Sequence, residues 1–356
     1  MPIPQGVNMN RVASSRCPVR RRSRIVFAVC LTLLGAVFSI PAQAAEDSKG
    51  IYLLGTVSSM AAVVPPPGTY YAHINLYYDA VAVVPTSNSI PLRELGNLTT
   101  QADIDLSVKL FASVPVLQWV APRKVLGGSF GAGTIIPIGW QDIGVDVSVL
   151  QQLTLPDGQT FQRGKSFGLD DNTFSFGDPQ PFMFLGWNRG SWHWKIATLM
   201  NVPIGAYDDE NLGNMGFNRW AVDVHGAFTW LDPKIGFEVS SNAGFTFNGE
   251  NPDTDYRTGT EFHAEFAFMK HFSKQLQFGL VGYHYQQVTD DSGAGAALGP
   301  FKGRITGLGP SLNCHFDVRS IPVSTSLRWY REFNADNRPD GDAVYLQAAF
   351  PLSGSR

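Results

Sequence analysis

The stretch TGTEFHAEFAFMKHF, residues 258–272, decides the fold class. Phe262, Ala264, Phe266, Phe268 and Phe272 alternate there with Glu261, His263, Glu265 and His271. A period of two belongs to an extended strand, because successive side chains leave opposite faces. One face is therefore aromatic and the other charged. The pattern recurs upstream, where Trp220, Val222, Val224, Phe228 and Trp230 oppose Arg219, Asp223, His225 and Thr229. Phe237, Val239, Ala243, Phe245 and Phe247 likewise oppose Glu238, Ser240, Asn242, Thr246 and Asn248.

Extending this reading along the chain places strands near 70–79, 103–120, 125–149, 174–187, 191–204, 217–230, 235–248, 258–271, 275–288, 302–316, 322–333 and 341–352. The expected fold class is all-β: an antiparallel transmembrane outer-membrane β-barrel of about 12 strands. Most segments reach the roughly 9–11 residues a tilted strand needs to cross a bilayer. Short turns at 122–123, 188–190, 231–234, 273–274 and 319–320 alternate with long loops rich in Gly, Asn and Asp. Short periplasmic turns and long external loops are what such barrels show. Aromatic residues at expected strand ends, Tyr70, Tyr78, Trp140, Trp192, Trp220, Trp230 and Trp329, suit the two interfaces of a bilayer.

The amino terminus predicts export. Arg16, Arg20, Arg21, Arg22 and Arg24 run into an uncharged apolar stretch, Ile25 to Ile40, followed by Ala42-Gln43-Ala44. This is the order of a cleaved signal peptide, here residues 1–44. Removing its six arginines from 27 basic residues leaves 21 against 30 acidic, a net charge of −9. That balance argues against a nucleic-acid partner, which needs a basic face. Cys17 and Cys30 fall in the leader, so Cys314 alone remains and no disulfide framework is expected. Residues 45–68 are expected to form a periplasmic amino-terminal segment and 69–356 the barrel.

Several short motifs occur in a fixed order: Gly50-Ile51-Tyr52-Leu53-Leu54-Gly55, Pro65-Pro66-Pro67-Gly68-Thr69-Tyr70, Pro203-Ile204-Gly205-Ala206-Tyr207 and Asn218-Arg219-Trp220. Tyr256-Arg257-Thr258-Gly259 with Glu261, Gln287 to Gly293, Gly309-Pro310 and Asn337 to Gly341 follow. Over some 290 residues the chain resembles the outer-membrane family of the meta-pathway of phenol degradation, also called SphA-like. The resemblance implies passage of aromatic or other hydrophobic small molecules across the outer membrane.

Strand parity turns His73, His193, Lys195, Arg219, Asp223, His225, Glu238, Glu261, His263, Glu265, His315, Arg328 and Glu332 toward the lumen. A charge on the lipid side of an apolar band is costly, so lumen placement is expected whatever the function. These residues read either as a mutually satisfied network or as a selectivity lining. A metal site from His225, Glu261, His263 and Glu265 is conceivable by residue type but lacks ligand spacing, so no metal and no cofactor is expected.

A twelve-strand bore is too wide for its own side chains to fill. Residues 51–68 are apolar and uncharged and end in three prolines, which bars a spanning helix or central strand. They are a candidate plug with Tyr52, Leu53, Leu54 and Met60 as its apolar surface; a polyproline linker is the alternative.

Enzyme signals are thin. Gly127-Gly128-Ser129-Phe130-Gly131 matches a nucleophile-elbow pattern but lies in an alternating strand, where no strand-to-helix turn is available. His284, with Thr260 and Thr306 on flanking strands, is the one lipid-facing candidate for a hydrolase. The expectation is a passive channel and not an enzyme, with a structural or surface-interaction barrel as the rival. Its partners would be small hydrophobic or aromatic molecules, outer-membrane lipid and lipopolysaccharide, and the barrel-assembly machinery.

Overall fold

The structure, a computed structural model, describes residues 49–354 except 93–95, 297, 298 and 300. The expected signal peptide lies outside the described residues. The strands are β1 (Gly68–Pro91), β2 (Asn97–Val125), β3 (Gly128–Ile135), β4 (Ile138–Thr154), β5 (Thr160–Phe176), β6 (Gln180–Arg189) and β7 (Trp192–Asn201). They continue with β8 (Ala221–Asp232), β9 (Phe237–Asn248), β10 (Glu261–His271), β11 (Leu276–Gln287), β12 (Arg304–Val318), β13 (Ile321–Asp336) and β14 (Asp340–Gly354).

All pairings are antiparallel, and each of β6 to β14 pairs with the next in sequence. β1 pairs with both β14 and β2, which closes the ring. β3 and β4 form one wall strand interrupted at Ile136-Pro137, and β5 and β6 form another interrupted at residues 177–179. Proline cannot donate to the ladder, which explains the first break. Counted by wall strand, the sheet is a closed barrel of twelve, as expected. Gly68 pairs with Gly354, so both ends of the barrel lie on the same rim.

The faces are arranged for a bilayer. Outward side chains include exposed Trp194, Val224, Phe245, Phe268, Phe278, Leu280 and Trp329, whereas Asp223, Glu238, Glu261, Glu265 and Arg328 are buried inside. A water-soluble barrel would show the reverse. Among the described residues no helix is long and apolar enough to cross a membrane.

Two expectations are corrected. Residues 80–102 and 150–173 were expected to be largely loop, yet β1, β2, β4 and β5 run through them, and the connections shrink to 92–96 and 155–159. β2, at 29 residues, spans roughly 95 Å of strand at about 3.3 Å per residue. That far exceeds the bilayer, so β1, β2, β4 and β5 continue as an external sheet. Among the described residues, β1 beyond Val81 keeps only β2 as a neighbour, and β5 has β4 on one side and no strand on the other. The turn expected at 122–123 sits instead at Leu126-Gly127, both with positive φ (48° and 73°) as a two-residue hairpin turn requires.

Candidate functional site

The site is the interior of the barrel, and residues 51–62 occupy it. Ile51, Tyr52, Ala61 and Ala62 are buried, and Leu53 and Leu54 pack on an inner cluster that includes Ile74, Leu76, Val114, Tyr283, Tyr330 and Tyr345. No regular structure satisfies the backbone of this segment internally, so its buried N–H and C=O groups need partners from the wall. The wall supplies them from the residues that strand parity points inward.

Glu265 on β10 accepts two backbone N–H groups, Gly55 at 3.1 Å and Val57 at 3.0 Å. Glu238 on β9 accepts Met60 N–H at 2.6 Å and Ser59 Oγ–H at 3.1 Å, and is itself braced by Ser240 and His271, each at 2.7 Å. Arg328 on β13 donates to Thr56 O at 2.9 Å and to Ser58 Oγ at 3.3 Å, and its second amino group reaches Gln347 at 2.8 Å. Hydrogen bonds to ionised groups are about twice as strong as neutral ones. The three charged side chains thus act as clamps on an uncharged peptide.

Uncharged groups that the charge pattern passes over complete the grip. Asn242 donates to the Tyr52 hydroxyl at 2.7 Å, Thr229 accepts Ala62 N–H at 3.1 Å, and Gln180 donates to Ile51 O at 3.1 Å. Tyr330 donates to Gly55 O at 3.2 Å and Tyr345 to Leu54 O. Parity would have found Asn242 and Thr229. Tyr330 and Tyr345 are hidden because a tyrosine fits either face of a membrane strand.

The remaining expected lumen residues have other work. Glu332 accepts Tyr283 at 2.6 Å, Tyr78 at 2.8 Å and Gly341 N–H at 3.2 Å, which ties four strands together. Tyr78 is therefore an inward residue and not a bilayer-interface aromatic. Glu261 accepts Asn248 at 3.1 Å and the hydroxyl of Tyr285. Lys195 is half-buried with its ammonium 5.6 Å from the Phe184 ring, and His193 is half-exposed on the same strand. Arg219 is buried as expected but lies just before β8, with its Nε on Asn248 at 3.3 Å. His315 bonds Ser324 at 2.8 Å and Gln277 at 3.1 Å.

His73 is corrected: it shares the outward parity of exposed Tyr77, beside Tyr71 and Ser113. Apolar residues on both faces of β1, Ile74 and Leu76 against Tyr77 and Val81, blur the alternation there. Met60 is corrected in part, since its main contact is through its backbone to Glu238.

A second inward segment joins β7 to β8. Asp178 accepts Gly205 N–H, Phe217 N–H and the Asn201 amide, each at 2.7 Å, and Leu212 N–H reaches Asp171 at 2.9 Å. The chain thereby leaves the wall after Asn201 and folds onto the inner side of β4 and β5, where Met215 meets Gln141. β5 keeps a free edge as a result. Phe161, Phe167, Leu169, Phe174 and Phe176 on it are exposed.

On the outer face, His284 Nδ1 lies 2.9 Å from Thr306 Oγ1 on the paired strand. Among the described residues no carboxylate hydrogen-bonds this ring, and the backbone N–H of Thr260 donates to Thr289 Oγ1 at 2.7 Å.

The fold matches solved outer-membrane proteins. A crystal structure of an outer membrane channel from Pseudomonas putida F1 superposes with a TM-score of 0.59 at 13% identity, covering 84% of this chain and 99% of that one. A FadL homologue from Pseudomonas aeruginosa gives 0.40 at 12% identity, with 80% and 90% covered. No curated protein matches the sequence. The closed barrel, its outward apolar face and the first of these matches place the protein in the bacterial outer membrane. A family model matches residues 93–348, most of the chain, and the protein belongs to that family, the putative MetA-pathway of phenol degradation.

Proposed function

We propose that the protein is a passive channel for uptake of aromatic or other hydrophobic small molecules, closed at rest by residues 51–62. The observation that carries this reading is the nature of the closure. An uncharged, apolar peptide fills the bore and is gripped by Glu238, Glu265 and Arg328, so the charged groups expected to line an aqueous path are committed to holding the plug. A hydrophilic solute meets a hydrogen-bonded stopper. A hydrophobic one meets the side chains of Leu53 and Leu54 and the inner apolar cluster, on which it finds apolar contact.

Capture is assigned to the exposed apolar edge of β5, and passage to the seam beside residues 202–217, where the wall lacks a neighbouring strand. Movement follows the concentration gradient. The outward aromatic face sits in lipid, the external sheet reaches the lipopolysaccharide layer, and insertion runs through the barrel-assembly machinery. Membership of a family named for phenol degradation supports aromatic substrates.

The test is uptake of radiolabelled phenol-like and alkane probes by cells with and without the protein. Faster entry of at least one class supports the reading. Equal rates for both remove transport.

A further inference from the structure

Three lumen residues that do not touch the backbone of the plug form a compact group. Asp223 and His225 lie two residues apart on β8, and His263 faces them from β10. Asp223 Oδ1 is 2.7 Å from His225 Nδ1, and its Oδ2 is 2.8 Å from His263 Nε2. One ligand atom from each lies within 4.8 Å of the other two.

The fold makes room for this. On β9, which separates the two histidine strands, the residue paired with both His225 and His263 is Gly244. A Cβ at Gly244 would stand 2.4 Å from His225 Cβ, so any side chain there would force the imidazoles apart. Their ring centroids are 6.0 Å apart across that gap. Glycine inside a strand weakens it and marks a close approach. Here the approach is between two rings on strands that are not neighbours.

Two imidazoles and one carboxylate are the donor set of a borderline first-row ion, and not of calcium or magnesium, which take oxygen. We propose that Asp223, His225 and His263 bind one divalent ion of the zinc class inside the barrel. Without metal, each imidazole donates to Asp223. With it, the ion takes the place of those shared protons, and the ligand atoms open to about 3.3 Å, as bonds of about 2.0–2.1 Å require. Thr246 Oγ1, at 2.7 Å from Asp223 Oδ2, orients the carboxylate from outside the ligand set, as such groups do in metal sites. Glu261 and Glu265 flank His263 on β10 and offset the charge of the ion. His225 keeps 11% of its side chain exposed, which gives the ion a way in. The site goes against the expectation of no metal, and its ligands differ from the set conceivable by residue type: Glu261 and Glu265 are engaged with Asn248 and with the plug, and Asp223 stands in their place.

Tyr52 covers the site. Its ring stacks on His263 with centroids 3.6 Å apart and 13° between planes, and meets His225 edge-on at 5.7 Å. An ion here would couple the lining of β8 and β10 to Tyr52 of the plug. Metal binding itself does not depend on the transport reading.

The experiment uses the refolded full-length mature barrel in detergent, stripped with chelator and titrated with Zn²⁺ alone, followed by calorimetry and by metal analysis after gel filtration. One Zn²⁺ per chain is expected, with affinity lowered about tenfold or more in D223N and in the H225Q/H263Q double variant. Heat-shifted migration in SDS gels checks that each variant is folded. In parallel, Cu²⁺ bound to the unmodified chain should show coupling to two imidazole nitrogens by electron paramagnetic resonance, a readout that needs no variant. Failure of the unmodified chain to retain Zn²⁺, equal binding by the folded variants, or Cu²⁺ without two-nitrogen coupling would each overturn the site.

Discussion

Glu238 accepts the backbone N–H of Met60 at 2.6 Å across 178 positions of sequence, so a carboxylate in the barrel wall holds the peptide that closes the bore. Its second oxygen takes the Ser59 hydroxyl, and Glu265 holds Gly55 and Val57 in the same way. A buried hydrogen bond to a charged group contributes roughly 1.5–3 kcal/mol. The E238A/E265A double variant should therefore release the plug without opening the wall. Single-channel conductance in planar bilayers should rise, and deletion of residues 50–64 should raise it further. Conductance identical to the unmodified protein in both would rule out the plug.

A second prediction concerns Tyr283, which crosses over Gly307 to donate to Glu332 at 2.6 Å. A Cβ at Gly307 would fall 2.4 Å from the Tyr283 ring, so alanine must push the phenol off its carboxylate. Glu332 would then lose one of its partners in a water-poor interior, a cost of about 1–3 kcal/mol. G307A should unfold at lower temperature in the SDS-gel mobility assay. G158A, where nothing lies within 4 Å of the added atom, serves as a comparison at an exposed turn, its positive φ of 86° costing strain alone.

How much of this was legible in the sequence follows from what each residue type can tell. β8, β9 and β10 are readable residue by residue, because Phe and Val on one face and Asp, Glu and His on the other leave no ambiguity of parity. The rims are not. Residues 80–102 and 150–173 mix Ser, Thr, Asp and Gly with scattered Val and Leu, and pairing with β1, β2 and β4 supplies the order that local pattern does not. Tyr78, Tyr283, Tyr330 and Tyr345 all point inward, although each reads equally well as an interfacial aromatic. Parity turns Glu238, Glu265 and Arg328 inward and misplaces His73, and the purpose of those three charges was hidden, because they hold main-chain atoms about 180–270 residues away.

The apolar belt makes a third prediction. Leu280 lies near the middle of β11, exposed on the outer face beside Phe268 and Pro310. Arginine near the bilayer midplane of such a barrel costs about 2–4 kcal/mol. L280R should fold less completely into lipid vesicles, whereas K270R, already charged near the strand end, should fold like the unmodified chain. Equal folding yields for L280R and the unmodified chain would place this face away from lipid.

The last prediction fixes orientation. The connections at 126–127, 190–191, 233–236, 272–275 and 319–320 all sit on one rim, and Arg319 and Ser320 both adopt positive φ (49° and 67°) to turn the chain in two residues. Both ends of the barrel sit on that same rim, since Gly68 pairs with Gly354, and short turns mark the periplasmic side of such barrels. The opposite rim carries the long connections 202–220, 249–260 and 288–303 and the external sheet that ends at Asp157-Gly158. Gly158 has a φ of 86° with nothing within 4 Å, so an epitope inserted after it disturbs no packing. Antibody should label that insertion on intact cells, and should reach an epitope inserted between Arg319 and Ser320 only after the outer membrane is permeabilised. Labelling in the opposite order would invert the barrel and move the β5 edge, with its exposed phenylalanines, to the side where captured substrate would leave.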